Sequence, residues 1–542
     1  MNSHGCHATM DNVQHTDPSG HGEVRRSTDT LLRRSRWLGL GGTVLLAIGA
    51  LGVGVLPRPD PLANAPVLRL LRDGIGAPTS GALAVIGMAL WVVAWWSLRR
   101  RIGNGLTTRW MSVTAALWSL PLAVAPPLLS RDVYSYAVQG QLAEHGLNPY
   151  EHGPAELSSS WDTSASAAWD LSRTPYGPLF VLIARACATL GELSGHLEVT
   201  ILALRLFAIA AVALLAVYLP QLARSCGVDE SRAQWLGLGC PLVLAHSISG
   251  AHNDIIMAAL IVAGLAQLAR RRPLLAGALL GAAIAVKAPA LLVLPLAVLL
   301  ALAVERGRST GRKPSISSAL VVIAAAVAAL TVVTVIAGFG WGWVNALHVS
   351  SGSVQWTSAP TSWGIATRWL SDPFATPSAN DAALRIARAI GTVLLAIVLL
   401  AIWGRATQRV YNAARTTYVR STPNKHALLI DTPIDTESVR YVVRAAGLAL
   451  LAASILGPTF HPWYFLWPLI LLAASTRSIS GRTAAASAAA ALCFIALPDG
   501  YNLARSTMSV GVIAVVVATL VLPASALFVA GRRSYADRIG AS

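Results

Sequence analysis

At 542 residues, 54% of them hydrophobic and only 12% charged, with a mean hydropathy of +0.57, this chain carries more apolar side chain than a soluble protein of its length hides in a core. Composition makes it a polytopic membrane protein. The formal charge of +17 does not mark a nucleic-acid binder, because the cations sit in short segments between apolar stretches, where the positive-inside rule places cytoplasmic loops.

In chain order, residues 1–36 read as a disordered, basic cytoplasmic tail. Its His4, His7, His15 and His21 lie among Ser, Asp and Gly with no apolar core of a signal peptide. A membrane-spanning helix needs about 20 residues to cross about 30 Å of hydrocarbon. Candidate spans fall near 37–56, 80–98, 110–129, 200–223, 234–251, 254–269, 273–287, 288–304, 317–338, 382–403, 441–457, 464–475, 483–497 and 508–530. Several are short, so the expectation is an all-α protein of about 13–14 transmembrane helices. Basic clusters at Arg25–Arg36, Arg99–Arg109, Arg270–Arg272, Arg306–Lys313, Arg405–Lys425, Arg477–Arg482 and Arg532–Arg538 mark the cytoplasmic side. The alternation closes if 273–304 is a hairpin and 178–194 lies on the outer surface without crossing. The expected organisation is then a membrane catalytic domain over 37–531 and a cytoplasmic tail over 532–542. Within the domain lie an external loop at 130–199 carrying surface helices, an external Trp-rich loop at 339–381 and a cytoplasmic loop at 404–440.

Cys6, Cys187, Cys226, Cys240 and Cys493 have no spacing that signals zinc, redox chemistry or a disulfide framework. Neither a phosphate-binding G-x-x-x-x-G-K-[ST] nor a G-x-G-x-x-G dinucleotide motif occurs in the cytoplasmic loop. Chemistry driven by cytosolic ATP or a nucleotide sugar is therefore unsupported. No cofactor is expected, and without a D-x-D pair at the membrane surface no metal site is expected either.

Chemistry-bearing residues gather in external loops. The first opens with Ser130-Arg131-Asp132-Val133-Tyr134-Ser135-Tyr136 and continues through Asn148-Pro149-Tyr150 to Pro175-Tyr176-Gly177-Pro178. Its length and Pro, Gly and Tyr punctuation point to an ordered, functional loop. The second ends in His252-Asn253-Asp254, and the third holds His461-Pro462-Trp463-Tyr464. The fourth adds Trp341, Trp343, Trp356, Trp363 and Trp369.

Structural readings compete at each position. Trp and Tyr at span ends form interfacial belts; Asp254 reads equally as a helix cap; His461 before a proline reads as a loop residue. Lys287, the lone charge in an apolar stretch, defaults to function, with snorkelling from a hairpin tip as the alternative.

Together these residues suit transfer of a sugar from a lipid phosphate. A phosphate leaves as a stable anion, so one base suffices where a glycosidase ordinarily needs two carboxylates. Asp132 is the expected base, taking the acceptor hydroxyl proton as that oxygen attacks the anomeric carbon with inversion. Arg131, Lys287, His252 and His461 are the expected donor-phosphate ligands, Arg131 alternatively orienting the carboxylate. Tyr134, Tyr136, Asn148, Tyr150, Tyr176, Asn253, Asp254, Trp463 and Tyr464 are expected donor or acceptor contacts.

These motifs, with Lys287-Ala288-Pro289-Ala290, resemble the polyprenol-phosphomannose-dependent α-1,6-mannosyltransferases of actinobacteria, across roughly Trp37 to Ala530. The resemblance implies the GT-C glycosyltransferase architecture, with Asp132 in the position of that family's catalytic base. It implies polyprenyl-phosphate mannose as donor and the α-1,6-mannan backbone of lipomannan and lipoarabinomannan as product, built at a lipid-anchored acceptor outside the plasma membrane, with membrane lipids as the other partners. The subgroup that builds the proximal backbone matches best. Asp132 follows the third predicted span here, where simple descriptions of that architecture place the base after the first. Two other classes stay open. One is a GT-C enzyme with another acceptor or sugar, in protein O-mannosyl, arabinosyl or glucosyl transfer. The other is a lipid-linked-sugar transporter or flippase, against which stands the lack of a repeated half.

Overall fold

The computed structural model describes residues 18–103, 105–166, 170–306, 316–346, 357–371, 377–420, 436–496 and 507–521. The tail up to 17, Trp169, Trp356, most of the Arg306–Lys313 cluster, loop residues 421–435 and the terminus beyond 521 lie outside them. All regular elements among the described residues are helical.

Helix α1 (Pro18–Val53) begins inside the stretch expected as a tail. It precedes α2 (Pro66–Arg72), α3 (Gly76–Leu98), α4 (Thr108–Val124), α5 (Asp132–Glu144), α6 (Pro178–Ser194) and α7 (Leu197–Ser225). Then come α8 (Glu230–Gly237), α9 (Pro241–Leu244), α10 (Asp254–Ala269), α11 (Pro273–Val286), α12 (Leu294–Arg306) and α13 (Ser317–Ala337). The remainder are α14 (Gly342–Ala346), α15 (Ala359–Ser371), α16 (Pro377–Arg420), α17 (Thr436–Leu456), α18 (Leu466–Ser475), α19 (Ile479–Leu492) and α20 (Met508–Val521).

Seven of these helices are long and apolar enough to cross a membrane, eight if the bent pair Pro241–Ser249 and Asp254–Ala269 is one span. The larger number expected from hydropathy includes pieces that are half-length helices: Pro273–Val286 and Pro462–Ser475 are apolar but short. Local hydropathy does not register where proline starts and glycine bends cut an apolar run into segments.

Packing between spans follows the membrane rule of small residues at close approach. A Cβ on Gly42 of α1 would stand 2.7 Å from the Gly87 carbonyl of α3, and one on Gly87 would stand 2.6 Å from the Gly42 carbonyl. On the next layer, Trp95 and Trp235 stack at 5.0 Å and exchange indole N–H bonds to each other's carbonyls, both 2.8 Å. Each indole, buried away from water, thereby finds its polar partner.

The polar centre forms where three interruptions meet. These are the start of α5, the break before α10 with its 120° bend, and the loop between α17 and α18. Ala251 within the break has φ +48, a left-handed conformation uncommon for a residue with a side chain. On the amphipathic α6, Arg185 pairs with Glu144 of α5 at 2.9 Å, so the helix expected at the outer surface seals the first loop.

Candidate active site

Asp132 and Asp254 are each the first residue of a helix, α5 and α10. A carboxylate there faces the positive end of the helix dipole. The Asp132 backbone N–H donates to Ser130 Oγ at 3.0 Å, which fixes the turn into α5. Across from it, His252 Nδ1 stands 3.4 Å from Asp132 Oδ2. That is longer than a well-formed hydrogen bond, so the contact is chiefly electrostatic. Burial resists ionisation of Asp132, yet the polar contact and charge of His252, followed by His461 and Ser130, outweigh it and bring the carboxyl to about 2. The side chain is 16% exposed while His252 is wholly buried.

Three rings stack beside this pair. His252 lies 4.1 Å from Trp463 and His461 lies 4.4 Å from it, both nearly parallel to the indole. Two rings that close to one indole cannot share a face without touching each other, and no such contact occurs among the described residues, so they cover opposite faces. Trp463 therefore has no face left for a sugar, so the donor or acceptor contact expected of it does not extend to stacking. It is a spacer between two imidazoles. His461 lies in the field of Asp132, Lys287, His252 and Asp254, and burial lowers its ring to about 4. It is therefore neutral at pH 7. His246, which the sequence reading passed over, joins the group with its ring 5.4 Å from both His252 and Trp463.

Lys287 ends α11 and reaches back to α10. Its ammonium donates to Asp254 Oδ1 at 2.7 Å and stands 3.4 Å from Asn253 Oδ1. The same Asp254 oxygen accepts the Trp467 indole N–H at 2.6 Å. Tyr464, Trp467 and Tyr176 surround the ammonium at 4.9, 5.4 and 5.5 Å from their ring centroids, a cation–π enclosure. Tyr176 is held there because Gly177 donates to the Val286 carbonyl at 3.0 Å. Lys287 is thus a neutralised cation in an aromatic cage rather than the free phosphate ligand expected. Asp254 Oδ2, Asn253 Nδ2 and both His252 ring nitrogens are buried with no hydrogen-bond partner among the described residues. Unsatisfied polar atoms clustered this way call for a polar ligand. No group of three or more potential metal ligands occurs among the described residues.

Other predicted residues stand elsewhere. Arg131 directs Nη1 to the carbonyls of Ser164 and Leu56 at 2.8 and 3.2 Å, tying the first loop to the chain after α1; the expected role on donor phosphate or carboxylate does not fit that direction. Tyr134 donates to the Val55 carbonyl at 2.8 Å and belongs to the same tie. Asn148 accepts from the Tyr150 N–H at 3.0 Å and donates to Glu151, which closes a turn, and Tyr150 packs edge-on against Phe339. Tyr136 stays with the site, edge-on to Tyr176 at 5.3 Å. The loop carboxylates Glu144, Glu156 and Asp162 are held by Arg185, by His152 and by the Ser159 N–H, whereas Asp132 stands beside His252.

Besides His246, sequence reasoning missed three residues. Arg205, a buried cation within α7, donates to the carbonyls of Ala123 and Ser249 at 2.9 and 3.2 Å, joining the chain that leads to Asp132 with the break that leads to His252. A lone charge in an apolar span was the available signal, the same one that exposed Lys287. Gly250 leaves room for His252: a Cβ there would stand 2.7 Å from its Cδ2 and 2.9 Å from its Nε2. Trp467, one turn after Trp463, carried no separate signal.

Residues 36–304 match the family model described as α-(1→6)-mannopyranosyltransferase, N-terminal domain, and residues 434–525 match the MptB C-terminal domain. The chain is 31% identical to α-(1→6)-mannopyranosyltransferase A of Mycobacterium tuberculosis, over 85% of this chain and 84% of that one. A second M. tuberculosis α-(1→6)-mannopyranosyltransferase is 30% identical over 87% and 83%, and α-(1→6)-mannopyranosyltransferase B of Corynebacterium glutamicum is 26% identical over 88% and 79%. No solved structure matches. By similarity along most of both chains, this protein belongs to the α-(1→6)-mannopyranosyltransferase family.

Proposed function

We propose that the chain moves mannose from polyprenyl-phosphate mannose to a hydroxyl of a lipid-anchored α-1,6-mannan on the outer face of the plasma membrane, with inversion and with Asp132 as base. The observation that carries this reading is the placement of Asp132, a partly open carboxylate at a helix start, against a buried imidazole and a cluster of unsatisfied polar atoms. The acceptor oxygen attacks the anomeric carbon and its proton passes to Asp132. The bond from that carbon to the phosphate oxygen breaks, and its electron pair leaves with the phosphate. A carboxyl held at about 2 is ionised at working pH and accepts the proton as the attacking hydroxyl turns acidic in the transition state. His252 holds the carboxylate in place, and the edges of His461 and Asn253 offer polar contacts to donor or acceptor. Tyr136 and Tyr176 line the same space. Similarity to relatives named for α-(1→6)-mannosyl transfer supports the sugar and linkage.

The test supplies membranes bearing the protein with labelled polyprenyl-phosphate mannose, or a labelled nucleotide sugar, and either a short α-1,6-mannoside or a peptide. The expected product is the extended mannoside from the lipid donor alone, with inverted anomeric configuration by NMR. Transfer from the nucleotide sugar would overturn the donor assignment, and transfer to the peptide would overturn the acceptor.

A further inference from the structure

We propose that the end of α3 remote from Asp132 is a binding site for an anionic glycerophospholipid. Helix α3 ends at Leu98 and the chain turns at once through Arg99–Arg101. Helix α4 then runs back for 17 residues, about 26 Å at 1.5 Å per residue, before the chain reaches Asp132. The arginines and the active site therefore lie at opposite ends of the same helix pair, at opposite boundaries of the membrane.

A cavity of about 710 Å³ opens at this remote end, and all three arginines line it. Arg99 and Arg101 are half-buried, and none of the three is in an ion pair among the described residues. Arg99 lies 4.5 Å over the Trp96 ring, which holds its guanidinium at the rim. The hydroxyls of Ser35 and Ser97, bonded to each other at 2.8 Å, complete the polar end. Apart from Ser487 of α19, the rest of the wall is apolar, from Leu31 of α1 across Val92 to Ala490 of α19.

Three cations without an ion pair among the described residues, at one end of a largely apolar trough, fit an amphiphile with an anionic head. A free phosphate would leave the trough unused. Basic pockets between membrane helices take anionic headgroups on these grounds, and a planar guanidinium grips phosphate oxygens in pairs.

The experiment measures phosphatidylglycerol retained by the purified full-length protein in detergent, read by native mass spectrometry. Wild type should keep one molecule through washing and should not keep phosphatidylcholine. The Arg99→Gln, Arg100→Gln, Arg101→Gln triple variant should bind about a hundredfold more weakly, given roughly 1 kcal/mol per surface cation. Ala490→Trp and Val92→Trp keep the cations but fill the trough, and should also lose the lipid while mannosyl transfer shows them folded. Retention undiminished in a folded wall variant would overturn the proposal by showing diffuse attraction to the surface. Equal retention of phosphatidylcholine, or displacement of the lipid by sn-glycerol phosphate at matched concentration, would overturn it as well.

Discussion

Asp132 and Asp254 occupy the same place in their helices, yet their surroundings differ. Asp254 is fully buried, and one of its oxygens takes both the Lys287 ammonium and the Trp467 indole. Asp132 keeps part of its surface open and, among the described residues, meets a long imidazole contact and the loop serine. The helix dipole favours the anion at both sites, so it does not separate them. What separates them is a partner of full opposite charge at hydrogen-bonding distance, which commits Asp254 to architecture and leaves Asp132 free to accept a proton.

Removing one half of the committed pair should have the largest effect. Lys287→Met leaves a buried carboxylate alone and should lower stability by about 3–5 kcal/mol, measured by thermal unfolding in detergent, while Lys287→Met with Asp254→Asn should recover most of it. Wild-type stability in the single variant would erase the distinction between the two aspartates.

His252→Gln sharpens the other side. Without the imidazole, burial acts on Asp132 with less opposition, so its carboxyl rises from about 2. A base is lost as pH falls through its pKa, so the acid limb of kcat/KM should move to higher pH by about 1–3 units; an unmoved limb would detach His252 from the base. Gly250→Ala pushes the same imidazole from behind and should move the limb in the same direction by less, with about 1–3 kcal/mol of overpacking strain. Arg131→Lys should be the mildest, costing about 1 kcal/mol with the donor KM and pH profile unchanged. A raised donor KM would return Arg131 to the phosphate.

The residues legible from sequence were those whose oddity is local. A charged pair at the end of an apolar run marked Asp132, and a lone ammonium among apolar neighbours marked Lys287. What that ammonium pairs with depends on how α10 packs on α11, and hydropathy carries no record of it. Trp463 read as a donor or acceptor contact, and that its faces are covered was not legible, because one covering imidazole, His252, arrives from a loop some two hundred residues away. The all-α membrane class followed from composition alone, whereas the division of spans did not: 234–251 and 254–269 read as two spans, while Pro241–Ser249 and Asp254–Ala269 are short enough to make one span together, bent by 120°. Arg205 shows the reverse case: its signal was present, and its meaning emerged only from the two carbonyls it joins.

The most direct test compares mannosyl transfer from polyprenyl-phosphate mannose to a short α-1,6-mannoside by wild type, Asp132→Asn and Asp254→Asn, in membranes with matched protein levels and with unfolding temperatures measured in parallel. The account predicts that Asp132→Asn loses at least about 10²–10⁴-fold in rate with unfolding unchanged, while Asp254→Asn unfolds at lower temperature and its surviving folded fraction still transfers mannose. Full activity in Asp132→Asn, or loss of turnover without loss of stability in Asp254→Asn, would contradict it and place the base on the other aspartate.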